Sequence, residues 1–114
     1  MAFTDEWGHD PRVRQIRRIF RMMEKKQQEL LRQIHLSPFD ARLRVIRDTA
    51  RHWFGQASAL ADVKGLSHDE DTSIDLYMHC FERALAQAGI SVPAELLSSN
   101  QALVDLTMEV THCD

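Results

Sequence analysis

Apolar residues recur every three or four positions over the first third of the chain, and this spacing permits few folds. At 100° per residue such positions share one face of an α-helix, while the basic residues between them fall on the opposite face. Asp10 stands before Pro11, a pair typical of a capped helix start. The pattern therefore predicts a long amphipathic helix over residues 11–35. Its apolar stripe consists of Val13, Ile16, Ile19, Phe20, Met23, Leu30, Leu31 and Ile34.

A second apolar stripe follows a short break. Ser37 before Pro38 repeats the signal of a helix cap and a first-turn proline, so we expect a second helix from Ser37 to near Ala61. Because the break is short, the two helices should be antiparallel neighbours, an αα-hairpin. The stripe of the second helix consists of Phe39, Leu43, Ile46, Ala50, Trp53, Phe54, Ala57 and Leu60.

Two more helices are predicted in the second half of the chain. The run 67–70, Ser-His-Asp-Glu, has the form of a capping box that starts a third helix. Gly89 is a natural C′ residue for the end of that helix. A short helical turn is expected over residues 92–97. One residue of the run 98–100, Ser-Ser-Asn, then caps a last helix that ends near Val110.

The resulting fold is all-α: a compact bundle of four helices, with the long antiparallel αα-hairpin first and a short helix last. Hydrophobic residues make up 44% and charged residues 27% of the chain, as in ordinary globular proteins. Residues 1–10 show no periodicity and are expected to form a flexible arm, and residues 11–114 a single helical domain. The expected core comprises Ile16, Phe20, Met23, Leu43, Ile46, Trp53, Phe54, Ile74, Tyr77, Phe81 and Leu85.

The same sequence argues against a membrane protein. It has no run of about 18 apolar residues, the length that a spanning helix needs. Its first ten residues lack the apolar segment of a secretory signal. We therefore expect a cytoplasmic protein, and in that compartment the two cysteines, Cys80 and Cys113, should be free thiols.

Charge is distributed unevenly along the chain. Between Arg12 and Arg51 there are twelve Lys or Arg and four acids, whereas residues 52–114 have two basic residues and ten acids. Either the acidic half packs beside the basic half and offsets it, or the basic half meets an acidic protein or a nucleic acid. The predicted basic face for such a partner consists of Arg14, Arg18, Arg21, Lys25 and Arg44.

A helix-turn-helix reader of DNA is not expected, although Gly65 lies where such a turn often has a glycine. The helix that would enter the major groove opens with Asp69, Glu70 and Asp71, whose carboxylates would face phosphates. Nucleic acid would instead bind the basic face, where no aromatic residue is interleaved to stack on bases. Such binding would be electrostatic and sensitive to salt.

Motifs for catalysis and metal binding are not found in the sequence. The chain has no Gly-rich phosphate loop, no Gly-x-Ser-x-Gly elbow and no His-Glu-x-x-His helix. In the doublets His79-Cys80 and His112-Cys113, adjacent helical side chains point about 100° apart, which suits neither a catalytic dyad nor a zinc site. The two Glu-x-x-His spacings lie near the chain ends, outside the predicted stripes. We expect no enzyme activity, no metal and no cofactor.

Apolar residues outside the main stripes point to a further contact. The apolar stripe of the third helix consists of Ile74, Tyr77, Met78, Phe81, Leu85 and Ala88, and one face of the last helix of Leu103, Leu106 and Val110. Leu76 and Cys80 lie outside that stripe, and Val104 and Met108 lie on a second face of the last helix. Either a second copy of the chain covers these side chains, or the last helix plugs the bundle and is buried on both sides. The sequence thus favours a non-enzymatic interaction or adaptor protein that self-associates as a homodimer. A nucleic-acid-associated regulator is the alternative, and a small metal or redox sensor built on Cys80, Cys113 and the histidines is a third possibility.

Overall fold

The structure, a computed structural model, describes residues 11–66, 69–97 and 100–112, and the expected arm at residues 1–10 lies outside it. Within the described ranges the chain forms four α-helices and no strand, which confirms the predicted all-α bundle. None of these helices combines the length and the apolar character needed to cross a membrane. The elements are α1 (Pro11–Gln33), α2 (Leu43–Val63), α3 (Glu70–Gln87) and α4 (Gln101–His112), with a 3-10 turn at Ala94–Leu96.

The first three helices end in the same left-handed turn. After α2 and α3 the turn falls on glycine, with a φ of 70° at Gly65 and 83° at Gly89. The N–H of Ile90 donates to the carbonyl of Leu85 at 2.9 Å, the long closing bond of a Schellman motif. Glycine adopts this backbone without the Cβ clash that other residues meet. The prediction that Gly89 ends the third helix is confirmed.

α1 ends in the same way on a residue that is not glycine. His35 has a φ of 58°, and the N–H of Leu36 donates to the carbonyl of Leu31 at 2.9 Å. The helix therefore ends at Gln33, two residues before the predicted end. A side chain is strained at this φ, although histidine tolerates it better than most residues.

The predicted start of the second helix at Ser37 is wrong, because α2 begins at Leu43. Ser37 Oγ accepts the N–H of Phe39 at 3.1 Å, and Asp40 Oδ1 accepts the N–H of Arg42 at 2.9 Å. Short polar side chains that bond the backbone two residues on hold a turn in place of a helix. Phe39 consequently stays outside the core, with 92% of its surface exposed.

Side chains cap the last two helices at their N-termini. Asp69 accepts the N–H of Thr72 at 2.7 Å and so caps α3, while Ser67, the predicted capping serine, lies outside the described residues. Asn100 precedes α4, and its Oδ1 lies 3.4 Å from the N–H nitrogen of Leu103. Each cap supplies an acceptor for a backbone donor that has no partner within the helix.

α3 is the central helix of the bundle, because α1, α2 and α4 all pack against it. It therefore has buried side chains on every side, including Leu76 at 1% and Cys80 at 0% exposure. These two residues, predicted to contact a second copy, instead fill the interior of the chain's own bundle. Of the predicted core, Phe54 is half-buried, and the buried members are Met23, Leu43, Ile46, Trp53, Ile74, Tyr77, Phe81 and Leu85.

α1 is buried over its second half alone. Ile16 is 52% and Phe20 61% exposed, so their placement in the predicted core is wrong. Arg18 lies beside Glu70, the first residue of α3, so the residues of α1 before Arg18 extend beyond the helix on which α1 chiefly packs. Phe20 lies alongside α3, but on a side of α1 that no helix of the described residues covers. None of residues 11–22 is buried. The buried side chains of α1 are Met23, Gln27, Leu30 and Leu31.

Candidate partner-binding groove

A groove of about 650 Å³ opens where α1, α2 and α3 meet. Phe20 belongs both to this groove and to the exposed half of α1, so the two surfaces are continuous. Three helices therefore build one concave site at the side of the bundle. The residues that line it are Phe20, Met23, Glu24 and Gln27 from α1, Arg47, Arg51 and Phe54 from α2, and Tyr77 from α3.

Aromatic rings form the apolar part of the groove. Phe54 meets Tyr77 edge to face with ring centroids 5.7 Å apart, and Tyr77 stacks on Phe81 at 6.3 Å. Both geometries are favourable for aromatic pairs and hold the rings in place. Phe20, 61% exposed, lies at the edge of this cluster. An apolar side chain of a partner would meet a preformed aromatic surface here.

An amide, a phenol and two guanidinium groups form the polar part of the groove. Arg47 Nε donates to Gln27 Oε1 at 3.3 Å, and the buried Gln27 also hydrogen-bonds to the side chain of Tyr77. Burial raises the pKa of Tyr77, while the positive charges of Arg51 and Arg47 oppose this shift. The phenol is therefore neutral near pH 7, with two cations beside it. A carboxylate next to an apolar group would fit this combination.

Acids of α3 offset part of the predicted basic face. Arg18 Nε lies 3.3 Å from Glu70 Oε1, and Lys26 Nζ lies 3.7 Å from Asp75 Oδ1. In this part of α1, acidic residues from the second half of the chain therefore pack beside the basic residues of the first half, as one of the two alternatives predicted. The pairs lie at the surface, where an ion pair stabilises by less than about 1 kcal/mol.

Three residues of the basic face stay available to a partner. Arg21, Lys25 and Arg44 form no ion pair within the part of the chain that the structure describes. Arg44 lies in the first turn of α2, apart from the residues on α1. All five predicted members are exposed: Arg14, Arg18, Arg21, Lys25 and Arg44.

The four residues predicted for self-association do not form one surface. Val104 is half-buried and Met108 is 40% exposed, and both line a separate cavity beside α4. Leu76 and Cys80 are interior, and burial raises the pKa of the Cys80 thiol to about 12. The other cysteine, Cys113, lies outside the described residues. Leu76 and Cys80 are therefore not exposed to a second copy in this fold, whereas Val104 and Met108 are partly accessible.

The groove itself was not predicted, although the sequence has a signal for it. Gln27 interrupts the apolar stripe of α1 between Met23 and Leu30. A lone amide on a buried stripe needs hydrogen-bond partners, and here Arg47 and Tyr77 provide them. These partners come from two other helices. The sequence could therefore have indicated that Gln27 is unusual, but not which residues form the groove around it.

Similarity to known proteins does not assign this groove. In the described ranges no three His, Cys, Asp or Glu side chains come together as metal ligands, and His112 and Cys113 contribute no described side chain. No protein-family model, curated protein or solved structure matches the chain. The function is therefore inferred from the chemistry of the groove and of α1.

Proposed function

We propose that this chain is a protein–protein interaction module that binds an acidic amphipathic helix of another protein along α1 and the groove. The observation that carries this proposal is the uncovered apolar stripe of α1, where Ile16 is 52% and Phe20 61% exposed. An amphipathic helix gains stability when its apolar face lies against a partner, and helix-in-groove binding is a common way to achieve this.

Charge favours an acidic partner over a second copy of the chain. From Pro11 to Met23 there are five arginines and no acid. Two copies joined through this half of α1 would place arginine beside arginine, which disfavours the pair. A partner with glutamates or aspartates beside its apolar residues would instead match the charge on both flanks of the stripe.

The groove supplies an anchor at one end of that stripe. An apolar side chain of the partner would enter beside Phe20 and Phe54, and a carboxylate near it would reach Arg47 or Arg51. A few residues dominate the binding energy of measured interfaces, and tyrosine, tryptophan and arginine are enriched among them. Phe20 is the residue whose replacement tests the site most directly, because its side chain supports little of the core.

The test uses two synthetic helical peptides with leucines along one face. One peptide has glutamates on both flanks of the leucines, and the matched peptide has lysines there. We expect the acidic peptide alone to bind, with an affinity that falls as salt is added. Phe20→Ser should weaken this binding about tenfold. The control is Val45→Ser, which replaces a 67% exposed residue on the side of α2 that faces away from Arg47.

Other results would contradict the proposal in different ways. Equal binding of the acidic peptide by Phe20→Ser would remove the site. A dimer in light scattering that Phe20→Ser converts to a monomer, with no peptide binding, would replace the acidic partner by a second copy. A column peak rich in nucleic acid that dissociates in high salt would favour the regulator. Self-association itself stays a prediction, and a mass near twice that of the chain would support it.

A further inference from the structure

A second cavity, of about 330 Å³, lies between α3, α4 and the segment that joins them. Helix geometry places it on the side of α3 opposite Tyr77, so it is separate from the groove. The proposed interaction along α1 makes no use of it. Its walls are largely apolar and include Ala86, Val92, Leu97, Val104 and Met108.

One residue that lines the cavity has a buried polar atom with no hydrogen-bond partner among the described residues. His79 lines the cavity and is 5% exposed, and its Nε2 has no hydrogen-bond partner in the described part of the chain. Buried polar atoms are nearly always paired, so an exception of this kind calls for an explanation. Burial lowers the pKa of His79, while Asp75 acts weakly in the opposite direction. The imidazole is therefore neutral near pH 7.

Two residues of opposite charge line the same cavity. Glu82 lies one helical turn after His79 on the same side of α3 and is 7% exposed. Arg83 is exposed and also lines the cavity. A charged ligand would lose hydration among the largely apolar walls, and two side chains of opposite sign supply no net charge to offset that cost. A neutral molecule avoids this penalty.

We propose that this cavity binds a small, neutral, mostly apolar molecule with one hydroxyl group, and that the hydroxyl pairs with His79 Nε2. A hydroxyl both donates and accepts, so it satisfies this nitrogen in either neutral tautomer. The volume suits a substituted ring, because an apolar cavity of about 150 Å³ already holds benzene. Pockets that are largely apolar with a few convergent polar groups are the usual form of a ligand site.

The test compares phenol with toluene, which has the same shape but a methyl group in place of the hydroxyl. Each compound is titrated into the full chain while the imidazole ¹⁵N signals are followed by NMR. We expect phenol to shift the His79 Nε2 signal and to bind about tenfold more tightly than toluene, the usual effect of one hydrogen bond. The control signal is that of His52, an exposed residue on α2.

Variants separate a ligand site from a structural role. His79→Leu should abolish the preference for phenol over toluene, and the melting temperature of the free chain should stay the same or rise, because the partnerless nitrogen is gone. Val104→Phe should fill the cavity and weaken both compounds, which keeps the test valid if His79→Leu unfolds. Equal binding of phenol and toluene, or an unshifted His79 signal, would overturn the proposal. The Phe20→Ser variant should bind phenol normally, so this test is independent of the proposed partner site.

Discussion

Single residues in the left-handed backbone region decide where the helices end. His35, Gly65 and Gly89 occupy equivalent positions after α1, α2 and α3, with φ between 58° and 83°. Glycine meets no Cβ clash there, whereas any other residue is strained by about 1–2 kcal/mol. The chain therefore keeps strain after α1 that it avoids after α2 and α3.

This difference predicts that substitutions at His35 and Gly89 change the free energy of unfolding in opposite directions. His35→Gly should raise the free energy of unfolding by about 0.5–1 kcal/mol, since relief of strain exceeds the entropic cost of glycine. Gly89→Ala should lower it by about 1 kcal/mol. Gly55→Ala is the control, because an added Cβ meets nothing within 4 Å inside α2 and should stabilise the helix by about 0.5–1 kcal/mol. Urea denaturation measures all three, and a destabilised His35→Gly would show that the imidazole makes a valuable contact.

At the scale of the helix, the N-terminus of α3 depends on one carboxylate. The hydrogen bond from Thr72 keeps the pKa of Asp69 below its usual 3.8. Glu70 and Asp71 follow in the first turn, where the helix dipole favours negative charge. The start of the central helix is therefore sensitive to acid.

The sign of that sensitivity follows from linkage. A pKa that is lower in the folded state gives stability that is fully present above pH 3.8 and is lost as the pH falls through the folded pKa. Asp69→Ala should therefore lower the urea midpoint more near pH 7 than in acid, where the protonated carboxyl has lost its charge but keeps a neutral oxygen for the Thr72 N–H. Asp69→Asn keeps a neutral oxygen that accepts the Thr72 N–H, so its midpoint near pH 7 should lie between those of the unaltered chain and of Asp69→Ala. An equal loss at both pH values would contradict the role of the charge.

At the scale of the whole molecule, stability is distributed unevenly around α3. Three helices pack against α3, whereas the first half of α1 has no buried side chain. Segments with few buried contacts open locally at lower free energy than the core does. This open half of α1 is also the surface that we assign to a partner.

Hydrogen exchange measures this gradient. Amides in residues 15–22 should exchange faster than those in residues 27–33, although both belong to one helix, because Leu30 and Leu31 are buried and Ile16 and Phe20 are exposed. The acidic peptide should slow exchange in residues 15–22 selectively. Equal protection along α1 in the free chain would mean that the first half is covered in solution, as it would be in a dimer through Phe20.

Much of the fold could be predicted because helix periodicity and end signals are local. The stripe of α1, the helical character of all four segments and the end of α3 at Gly89 follow from residues close together in sequence. The start of α2 could not be read in this way, because Ser37 has two uses. Its hydroxyl can accept a backbone N–H in a helix cap or in a turn. Here it bonds the N–H of Phe39 in a turn, and Asp40 stabilises that turn by accepting the N–H of Arg42.

Helix periodicity in the sequence is enough to show which residues share a helix face, whereas the packing of the helices sets which of those faces are covered. Leu76 and Cys80 lie outside the apolar stripe of their helix, yet they are buried because three helices pack around α3. Phe20 fits the core stripe, yet it is 61% exposed because no neighbouring helix in the described part of the chain covers its side of α1. The groove joins Gln27, Arg47 and Tyr77 from three helices. Periodicity describes one helix at a time, whereas burial depends on the neighbours that packing brings to it.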